Sequence, residues 1–422
     1  MFKPSEREPF VSGERSPAKA HNFGLRLEKD TAPAPPRRRA NFLSFSAPLI
    51  GEEEIEAVED TLRSEWITTG PKTAQFASEF VEYLGAIDAL PLNSCTAGLH
   101  TALVTAGIGT SHEVITTPMT FAASVNVIEH VNATPVLVDV EPDTLNISPA
   151  LVERAITSRT RAILAVHYAG HPAELDHLWE IARRHDLVLI EDAAHAVGAK
   201  YKGVNVGAGP NPVAFSFYAT KNITTGEGGM LTGQSDFIAR ARIVSLHGMS
   251  SDAWRRYAKG GNWRYEVVTP GFKYNMTDIA AALGLTQLRK LKQFQRRRRE
   301  IVDAYTAAFS KIDALQVPVE RSEVEHAWHL YVLRLNPHQL RIGRDEFVDE
   351  LTRRNIGTSV HFIPIYLHPF YRDKYHLSPD NFPVTQENFC RMLSLPLNPG
   401  LTDEDVLDVI DAVTEVVRVY QR

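Results

Sequence analysis

The fold of this chain is decided by residues 187–222, which read LVLIEDAAHAVGAKYKGVNVGAGPNPVAFSFYATKN. Two short apolar runs lie near the ends of this stretch, at 187–190 and 213–217, and each has the length and composition of a buried β-strand. A chemically distinctive side chain follows each run, Asp192 after the first and Lys221 after the second. If the two strands are parallel, both side chains lie at the carboxyl edge of the sheet, where such sheets bind ligands.

Similar apolar runs continue upstream and alternate with amphipathic segments. The other predicted strands are 114–117, 134–140 and 161–166, and the predicted helices between them are 52–64, 97–105 and 175–185. Apolar strands separated by helices are typical of a mostly parallel sheet with helices on both faces. The sequence therefore predicts an α/β fold for a large domain at 41–285.

A second, smaller domain is predicted from the pattern downstream. A proline-free helix at about 277–311 would link the two domains, and its arginine run at 296–299 is interpreted as a solvated face, with a contact to a substrate phosphate as the alternative. The remaining pattern has a strand at 329–335 and helices at 345–355 and 402–419. These features predict a small α+β domain at 286–422.

Residues 1–40 differ from the rest, because they are rich in proline and charge. Such a segment buries too little apolar surface to offset its ordering entropy, which predicts a disordered or extended tail. A tail that docks on its own domain or on a partner is the alternative.

Bulk composition excludes several classes of protein. The net charge is −6 with both signs mixed along the 422 residues, which argues against a protein built around nucleic acid. Two cysteines cannot form a disulfide framework or a thiolate metal cluster, so no metal site is expected. No apolar run approaches the roughly 20 residues that cross a bilayer, and no signal-peptide core follows the N-terminus. A cytoplasmic enzyme without membrane contact is predicted.

Lys221 and Asp192 are the two groups that pyridoxal 5′-phosphate (PLP) chemistry requires. A lysine amine holds the aldehyde of this cofactor as a Schiff base, and an aspartate keeps its pyridine nitrogen protonated so that the ring accepts electrons. The alternatives are a surface lysine beside a turn and a carboxylate that accepts backbone hydrogen bonds from the next helix. The pair predicts a PLP enzyme.

An anion site is predicted where Ser94-Cys95-Thr96-Ala97-Gly98 opens a helix. Free backbone N–H groups and the helix dipole attract anions, and the Thr96 hydroxyl is a further donor for the phosphate of the cofactor. Ser216, five residues before Lys221, is a second hydroxyl donor. The alternative is an ordinary helix N-cap.

Two further side chains are candidates for contacts with the cofactor ring. Phe121 follows a strand and a proline turn, and its ring is a candidate to stack on the flat pyridine. His195 lies three residues after Asp192 and is a candidate to reach the ring hydroxyl or a substrate group. Core packing is the alternative for both side chains.

Taken in order, these segments resemble the DegT/DnrJ/EryC1/StrS family of sugar aminotransferases, which has the aspartate-aminotransferase fold (fold type I). The matching segments are 66–71, 96–98, 120–121, 191–196, 216–221, 226–229 and 271–278. Residues 247–249 and 270–278 favour the branch that aminates C4 of UDP-4-keto sugars, including the enzyme of the aminoarabinose pathway. The resemblance covers roughly residues 45–420.

The resemblance implies a role for each matching residue. Lys221 would bind the cofactor covalently and Asp192 would pair with its ring nitrogen. Phe121, a tryptophan in many relatives, would stack on the ring. The phosphate would be held by Thr96, Ala97 and Ser216. His195 stands where some relatives have glutamine. Asn275 would reach the phosphate from the neighbouring subunit, which implies a homodimer with a shared active site, and His361 would face the sugar nucleotide.

The implied reaction transfers an amino group, with glutamate as the expected donor, to a nucleotide-linked keto sugar in polysaccharide or lipopolysaccharide biosynthesis. Relatives that remove a hydroxyl group lack this lysine or carry an iron–sulfur cluster, so Lys221 favours transamination. A C3 aminotransferase, a PLP-dependent sugar dehydratase and a non-catalytic regulatory protein stay open as alternatives. A nucleotide-binding module lacks support, because no G-x-G-x-x-G follows the first strand.

Overall fold

A computed structural model of the chain describes residues 39–64, 66–250 and 265–422. The described residues belong to one compact unit, Pro36–Arg422. The predicted tail lies outside the described residues, except for its last two positions. No helix among the described residues is both long enough and apolar enough to span a bilayer.

The helices of the described residues alternate with short strands. The strands are β1 (Asp88–Leu92), β2 (Glu113–Thr116), β3 (Thr134–Leu137), β4 (Thr160–Val166), β5 (Val188–Asp192), β6 (Lys200–Tyr201), β7 (Val204–Asn205), β8 (Val213–Ser216), β9 (Gly229–Gly233), β10 (Leu315–Gln316), β11 (Val324–Glu325), β12 (Tyr331–Leu335) and β13 (Met392–Leu395). The helices are α1 (Glu52–Arg63), α2 (Pro71–Leu84), α3 (Cys95–Thr105), α4 (Ala122–His130), α5 (Pro149–Ala155), α6 (Leu175–Arg184), α7 (Ser235–Ser245), α8 (Asp278–Phe309), α9 (Arg344–Arg353), α10 (Pro369–Tyr375), α11 (Pro383–Arg391) and α12 (Asp403–Tyr420).

The central sheet has the strand order β1-β9-β8-β5-β4-β2-β3. Strand β9 runs antiparallel to both of its neighbours, β1 and β8, and the other pairings are parallel. The predicted α/β fold with a mostly parallel sheet is confirmed. Asp192 is the last residue of β5 and pairs with Ala214 of β8, so Asp192 and the end of β8 share one edge of the sheet.

Both faces of this sheet are buried, which explains why its strands are continuously apolar. Along β8, Ala214 packs in a cluster with Leu99 of α3, whereas Phe215 packs on the opposite face with Phe80 of α2 and Leu285 of α8. Successive side chains of a strand point to opposite faces, so both faces of β8 are covered by helices.

Helix α8 connects this core to the C-terminal part of the chain. It begins at the N-cap Thr277, whose hydroxyl accepts a hydrogen bond from the Ala280 N–H. Leu285 packs in the core of the central sheet, and Tyr305 packs against the antiparallel sheet β10-β12-β13. The domain boundary predicted at residue 285 falls inside this helix and stays a prediction.

The interpretation of the arginine run as a solvated face is wrong for Arg298. This side chain is 2% exposed, and its guanidinium donates to the carbonyl oxygens of Trp328 (3.1 Å) and Leu397 (2.9 Å). Arg296 is exposed, as predicted. Four consecutive residues occupy most of a helix's circumference, so one member of the run must face the core on which α8 packs.

The first described residues are attached to the C-terminal part of the chain. The Arg39 guanidinium forms ion pairs with Asp405 and Asp408 of α12. Leu43 donates its N–H to the Asn355 carbonyl (2.8 Å) and accepts a hydrogen bond from the Gly357 N–H (2.8 Å).

Candidate active site

A cavity of about 470 Å³ opens at the carboxyl edge of β5 and β8. Seven residues that the sequence predicts for the site line it: Thr96, Phe121, Asp192, His195, Ser216, Lys221 and His361. Two predicted residues, Ala97 and Asn275, do not line it in this chain.

Asp192 is buried at the end of β5 and is held by two hydrogen bonds from nearby residues. The Ser124 hydroxyl of α4 donates to Oδ2 (2.7 Å), and the Ala194 N–H donates to Oδ1 (3.1 Å). Ser124 also lies 2.7 Å from the Thr120 hydroxyl. Because the Ser124 proton goes to the carboxylate, Thr120 must be the donor to Ser124. These bonds fix the carboxylate at the cavity wall.

Lys221 is half-buried, because part of its side chain faces the cavity. Burial lowers the pKa of its amine to about 8, although the nearby Cys95 and Asp192 raise it. Burial disfavours the charged form of a lysine. The amine is thus far more nucleophilic at neutral pH than an exposed lysine amine.

The lowered pKa leads to a prediction for the cofactor-free enzyme. Only the neutral amine attacks an aldehyde, so the rate of PLP capture should rise with pH and level off above about 8 rather than 10.5. At pH 7 this difference of 2.5 units makes the neutral fraction roughly 300-fold larger than for an ordinary lysine. Stopped-flow absorbance between pH 6 and 10 measures this profile, and a midpoint near 10.5 would contradict the burial argument.

The N-terminus of α3 lies at the cavity beside the end of β8. Ser94 caps the helix by accepting the Ala97 N–H (3.0 Å), so in this structure the Ala97 donor is used within the helix. The first N–H groups of a helix have no carbonyl acceptor within the helix, so those that are not capped stay available to an anion. Thr96 and Ser216 both line the cavity.

A stack of rings forms another wall of the cavity. The centroid of the His195 ring lies 5.6 Å from that of Phe362, with 22° between the ring planes, and 4.3 Å from that of His329, with 35° between the planes. Phe121 is 63% exposed and its ring centroid lies 5.9 Å from that of Phe362. Burial and the nearby Lys221 hold the pKa of His195 well below its usual range, so its imidazole is neutral.

His361 lies on the same wall as Phe362. Its Nδ1 lies 2.9 Å from the buried Ser394 hydroxyl, and its carbonyl accepts a hydrogen bond from Tyr168. Burial, together with Lys221, lowers the pKa of His361 to about 4. The ring is therefore neutral at physiological pH.

Asn275 lies outside the cavity of its own chain. Its amide donates to the Thr69 hydroxyl (2.6 Å) and its carbonyl oxygen accepts a hydrogen bond from Lys273. Within one chain, the structure does not bring Asn275 together with the other candidates.

Sequence reasoning missed several residues of the site. The cavity is also lined by Cys95, Thr120, His329 and Phe362, and Ser124 lies directly behind Asp192. The signal for Ser124 was available, because a buried aspartate needs a donor and Ser124 lies in the first turn of α4, three residues after Phe121. His329 had no such signal, because it lies about 110 residues after Lys221.

This geometry defines a class of enzyme. Three groups meet at one edge of the sheet, and each matches one group of PLP. The Lys221 amine matches the aldehyde, the Asp192 carboxylate matches the ring nitrogen, and the N-terminus of α3 matches the phosphate. The Nδ1 atom of His195 is buried and has no hydrogen-bond partner among the described residues. A buried polar atom without a partner is costly, which fits a site that receives a polar ligand. The residues present therefore fit PLP.

Comparisons with known proteins agree with this class. The model of the DegT/DnrJ/EryC1/StrS aminotransferase family matches residues 48–414, and the chain belongs to this family. It is 52% identical over 380 residues to the uncharacterized protein MJ1066 of Methanocaldococcus jannaschii, with 90% of this chain and 98% of that protein covered. It is 47% identical over 384 residues to the spore coat polysaccharide biosynthesis protein SpsC of Bacillus subtilis, with 90% and 99% covered.

A solved structure matches over a similar extent. Spr1654 from Streptococcus pneumoniae, assigned as a sugar aminotransferase, superposes in its PMP form with a TM-score of 0.84 and 36% identity, covering 89% of this chain and 99% of that one. Its PLP form gives a TM-score of 0.83. The chain is thus a PLP-dependent sugar aminotransferase with the fold type I architecture, and these sequence predictions are confirmed.

Proposed function

We propose that this enzyme moves an amino group from glutamate to C4 of a UDP-linked 4-keto sugar, and that it works as a homodimer with shared active sites. The observation that carries the proposal is the Lys221 amine, which burial keeps reactive, in the same cavity as Asp192. The choice of C4 and of UDP is supported by the resemblance of residues 247–249 and 270–278 to that branch of the family.

The residues around the cavity divide the binding of the cofactor among them. Lys221 would be its covalent attachment point, Asp192 the partner of its ring nitrogen, and Phe121 the surface against its ring. The phosphate would be held by Thr96, by Ser216 and by the first N–H groups of α3, and Ala97 would join them only by releasing its N–H from the Ser94 hydroxyl. When bound, PLP supplies the electron sink that lets an amino group pass between an amino acid and a ketone.

Lys221 has a second task once its amine is free. It is the basic group that would carry the proton to and from the substrate carbon, and a pKa near 8 suits such a shuttle at neutral pH. The Asp192 carboxylate is held in place, because the Ser124 hydroxyl and the Ala194 N–H donate to it. The negative charge of Asp192 would then stabilise the positive charge on the ring nitrogen of the cofactor.

His195 and His361 would contact uncharged groups. Both imidazoles are neutral, so each ring offers one donor and one acceptor nitrogen instead of a positive charge. His195 would bind the ring hydroxyl of the cofactor. His361 would bind a hydroxyl of the sugar nucleotide, because a neutral ring suits a hydroxyl group better than a diphosphate.

The proposed substrate is tested by product analysis. The purified enzyme is incubated with PLP, glutamate and a panel of UDP- and dTDP-linked 3-keto and 4-keto sugars, and NMR locates the new amine. Amination at C4 of a UDP sugar supports the proposal. Amination at C3 would favour the C3 aminotransferase, and loss of a hydroxyl group would favour the dehydratase. The absence of any turnover would favour the regulatory protein.

The shared active site gives a prediction for Asn275. Asn275→Ala should weaken PLP binding roughly 10-fold or more, because a hydrogen bond to a charged phosphate is lost. Titration of the cofactor-free variant measures this affinity. Asn336→Ala, in a turn of the C-terminal part, is the control and should bind PLP normally.

Mixing variants tests whether Asn275 acts across the dimer. A hybrid of one Lys221→Ala chain and one Asn275→Ala chain has one site with both residues intact. Random exchange should therefore restore about a quarter of wild-type activity when the PLP concentration is too low to fill the Asn275→Ala sites. No recovery after demonstrated subunit exchange would contradict the shared site.

A further inference from the structure

A buried segment beside the cavity, residues 326–330, is held in place at almost every position. The His329 N–H donates to the Ala169 carbonyl (3.1 Å), and the Ala327 N–H donates to that of Gly170 (2.9 Å). Trp328 has a left-handed backbone (φ 46°), which a bulky residue adopts only where its surroundings impose it. The segment therefore presents the His329 side chain to the cavity in a fixed position.

Gly170 brings this segment against the backbone of His195. A Cβ atom at Gly170 would lie 2.8 Å from the His195 carbonyl oxygen and 3.1 Å from the His329 nitrogen. The position also has φ +99°, so glycine alone fits without strain. The main chains of His195 and His329 thus pack on the same glycine.

The neighbour of Lys221 determines the tautomer of His329. The Asn222 amide donates from Nδ2 to the Ala327 carbonyl (2.8 Å), which leaves its Oδ1 facing His329 Nδ1 at 3.0 Å. Because Oδ1 can only accept, His329 Nδ1 must carry the proton. Asn222 is 4% exposed and directly follows Lys221 in the chain, so this bond also anchors the lysine's backbone.

The His195 ring is positioned by stacking. Its Nδ1 has no hydrogen-bond partner among the described residues, and its ring is in contact with the rings of His329 and Phe362, the His329 centroid being the nearer of the two (4.3 Å against 5.6 Å). Replacing His329 with a small residue would remove one of these two rings and leave a void beside Lys221.

We propose that His329 is a positioning residue of the transfer reaction: it orients the His195 ring by stacking and, through Asn222, it fixes Lys221 and excludes water from it. This inference rests on the proposed roles of Lys221 and His195. His329 can do this without adding charge, because its pKa lies well below the usual range. Burial is the largest cause of this lowering, and the neighbouring side chains add to it: His195, Lys221, Arg298 and His361. A neutral ring does not repel the Lys221 amine when that amine carries a proton.

The test uses the pH profile of PLP capture together with steady-state kinetics. In His329→Ala, water enters beside Lys221, so the midpoint of the profile should rise from about 8 by at least half a unit. In the same variant kcat should fall roughly 10- to 100-fold, while KM for the sugar nucleotide changes less than about threefold. His329→Asn keeps an N–H donor for Asn222 and should lose less in both measurements.

His326→Ala is the matched control. His326 is equally buried in the same segment, but it stacks on Trp328 and does not line the cavity. Its substitution should lower thermal stability without moving the midpoint of the capture profile. The inference is overturned if His329→Ala raises the midpoint by less than half a pH unit or lowers kcat less than about tenfold, or if His326→Ala changes the midpoint and kcat as much as His329→Ala does. Capture of PLP by Lys221→Ala at the wild-type rate would instead overturn the proposed function.

Discussion

Lys221→Ala should lower turnover by at least about 10³-fold, because one substitution removes both the covalent attachment point and the proton shuttle. The fold should be retained, since within the described part of the chain the lysine forms no ion pair that holds other elements together, and its burial costs solvation. Steady-state amination of the sugar nucleotide measures the loss, and circular dichroism with size-exclusion chromatography checks the fold.

Borohydride reduction of the PLP-loaded enzyme tests the same residue without relying on activity. Wild-type enzyme should give one labelled peptide, the one that contains Lys221, and Lys221→Ala should give none. Lys202→Ala is the control, because Lys202 is exposed and pairs with Asp176 at the surface. Full turnover in Lys221→Ala, or a label on another peptide, would refute the assignment.

Asp192→Asn should reduce kcat roughly 10²- to 10³-fold, because it removes the negative charge proposed to lie opposite the ring nitrogen of the cofactor. It should also lower the pKa of Lys221 below about 8, since the Asp192 carboxylate favours the charged amine. The pH profile of PLP capture should therefore move to lower pH. Capture kinetics and kcat together check both effects.

Glu191→Gln is the matched control for this substitution. Glu191 is a buried carboxylate one position earlier on β5, and it binds His167 (3.0 Å) and Asn211 (3.1 Å) away from the cavity. Its loss should lower the free energy of unfolding and leave the capture profile unchanged. Equal kinetic effects of Glu191→Gln and Asp192→Asn would contradict the proposal that Asp192 is the partner of the ring nitrogen of the cofactor.

The sequence was sufficient to predict the part of the fold that carries the site. The strands that precede Asp192 and Lys221 are short but uninterrupted apolar runs. A strand that is buried on both faces can be recognised from such a run, although its apolar and polar residues do not alternate. Strand β9, at Gly229–Gly233, was missed because glycines at both ends and a threonine weaken its apolar pattern. Its antiparallel direction could not be read from spacing either.

The residues that surround Lys221 and Asp192 were harder to predict than the pair itself. Ser124, Asn222 and His329 are ordinary polar residues whose roles depend on contacts between distant segments. The neutral state of His329 follows from burial and from its neighbours, neither of which is visible in a short motif. For Arg298, the run of like charges suggested solvent, but the packing of α8 selected one of its members for the interior.

The attachment of Arg39 to α12 has a practical consequence for anyone who shortens this enzyme. A truncated version that starts at residue 46 would lose two ion pairs and the backbone bonds of Leu43. It would also lose Phe45, whose ring lies 5.3 Å from that of His361. Expression plasmids for crystallisation should therefore keep residue 39 and everything after it, with any affinity tag placed upstream.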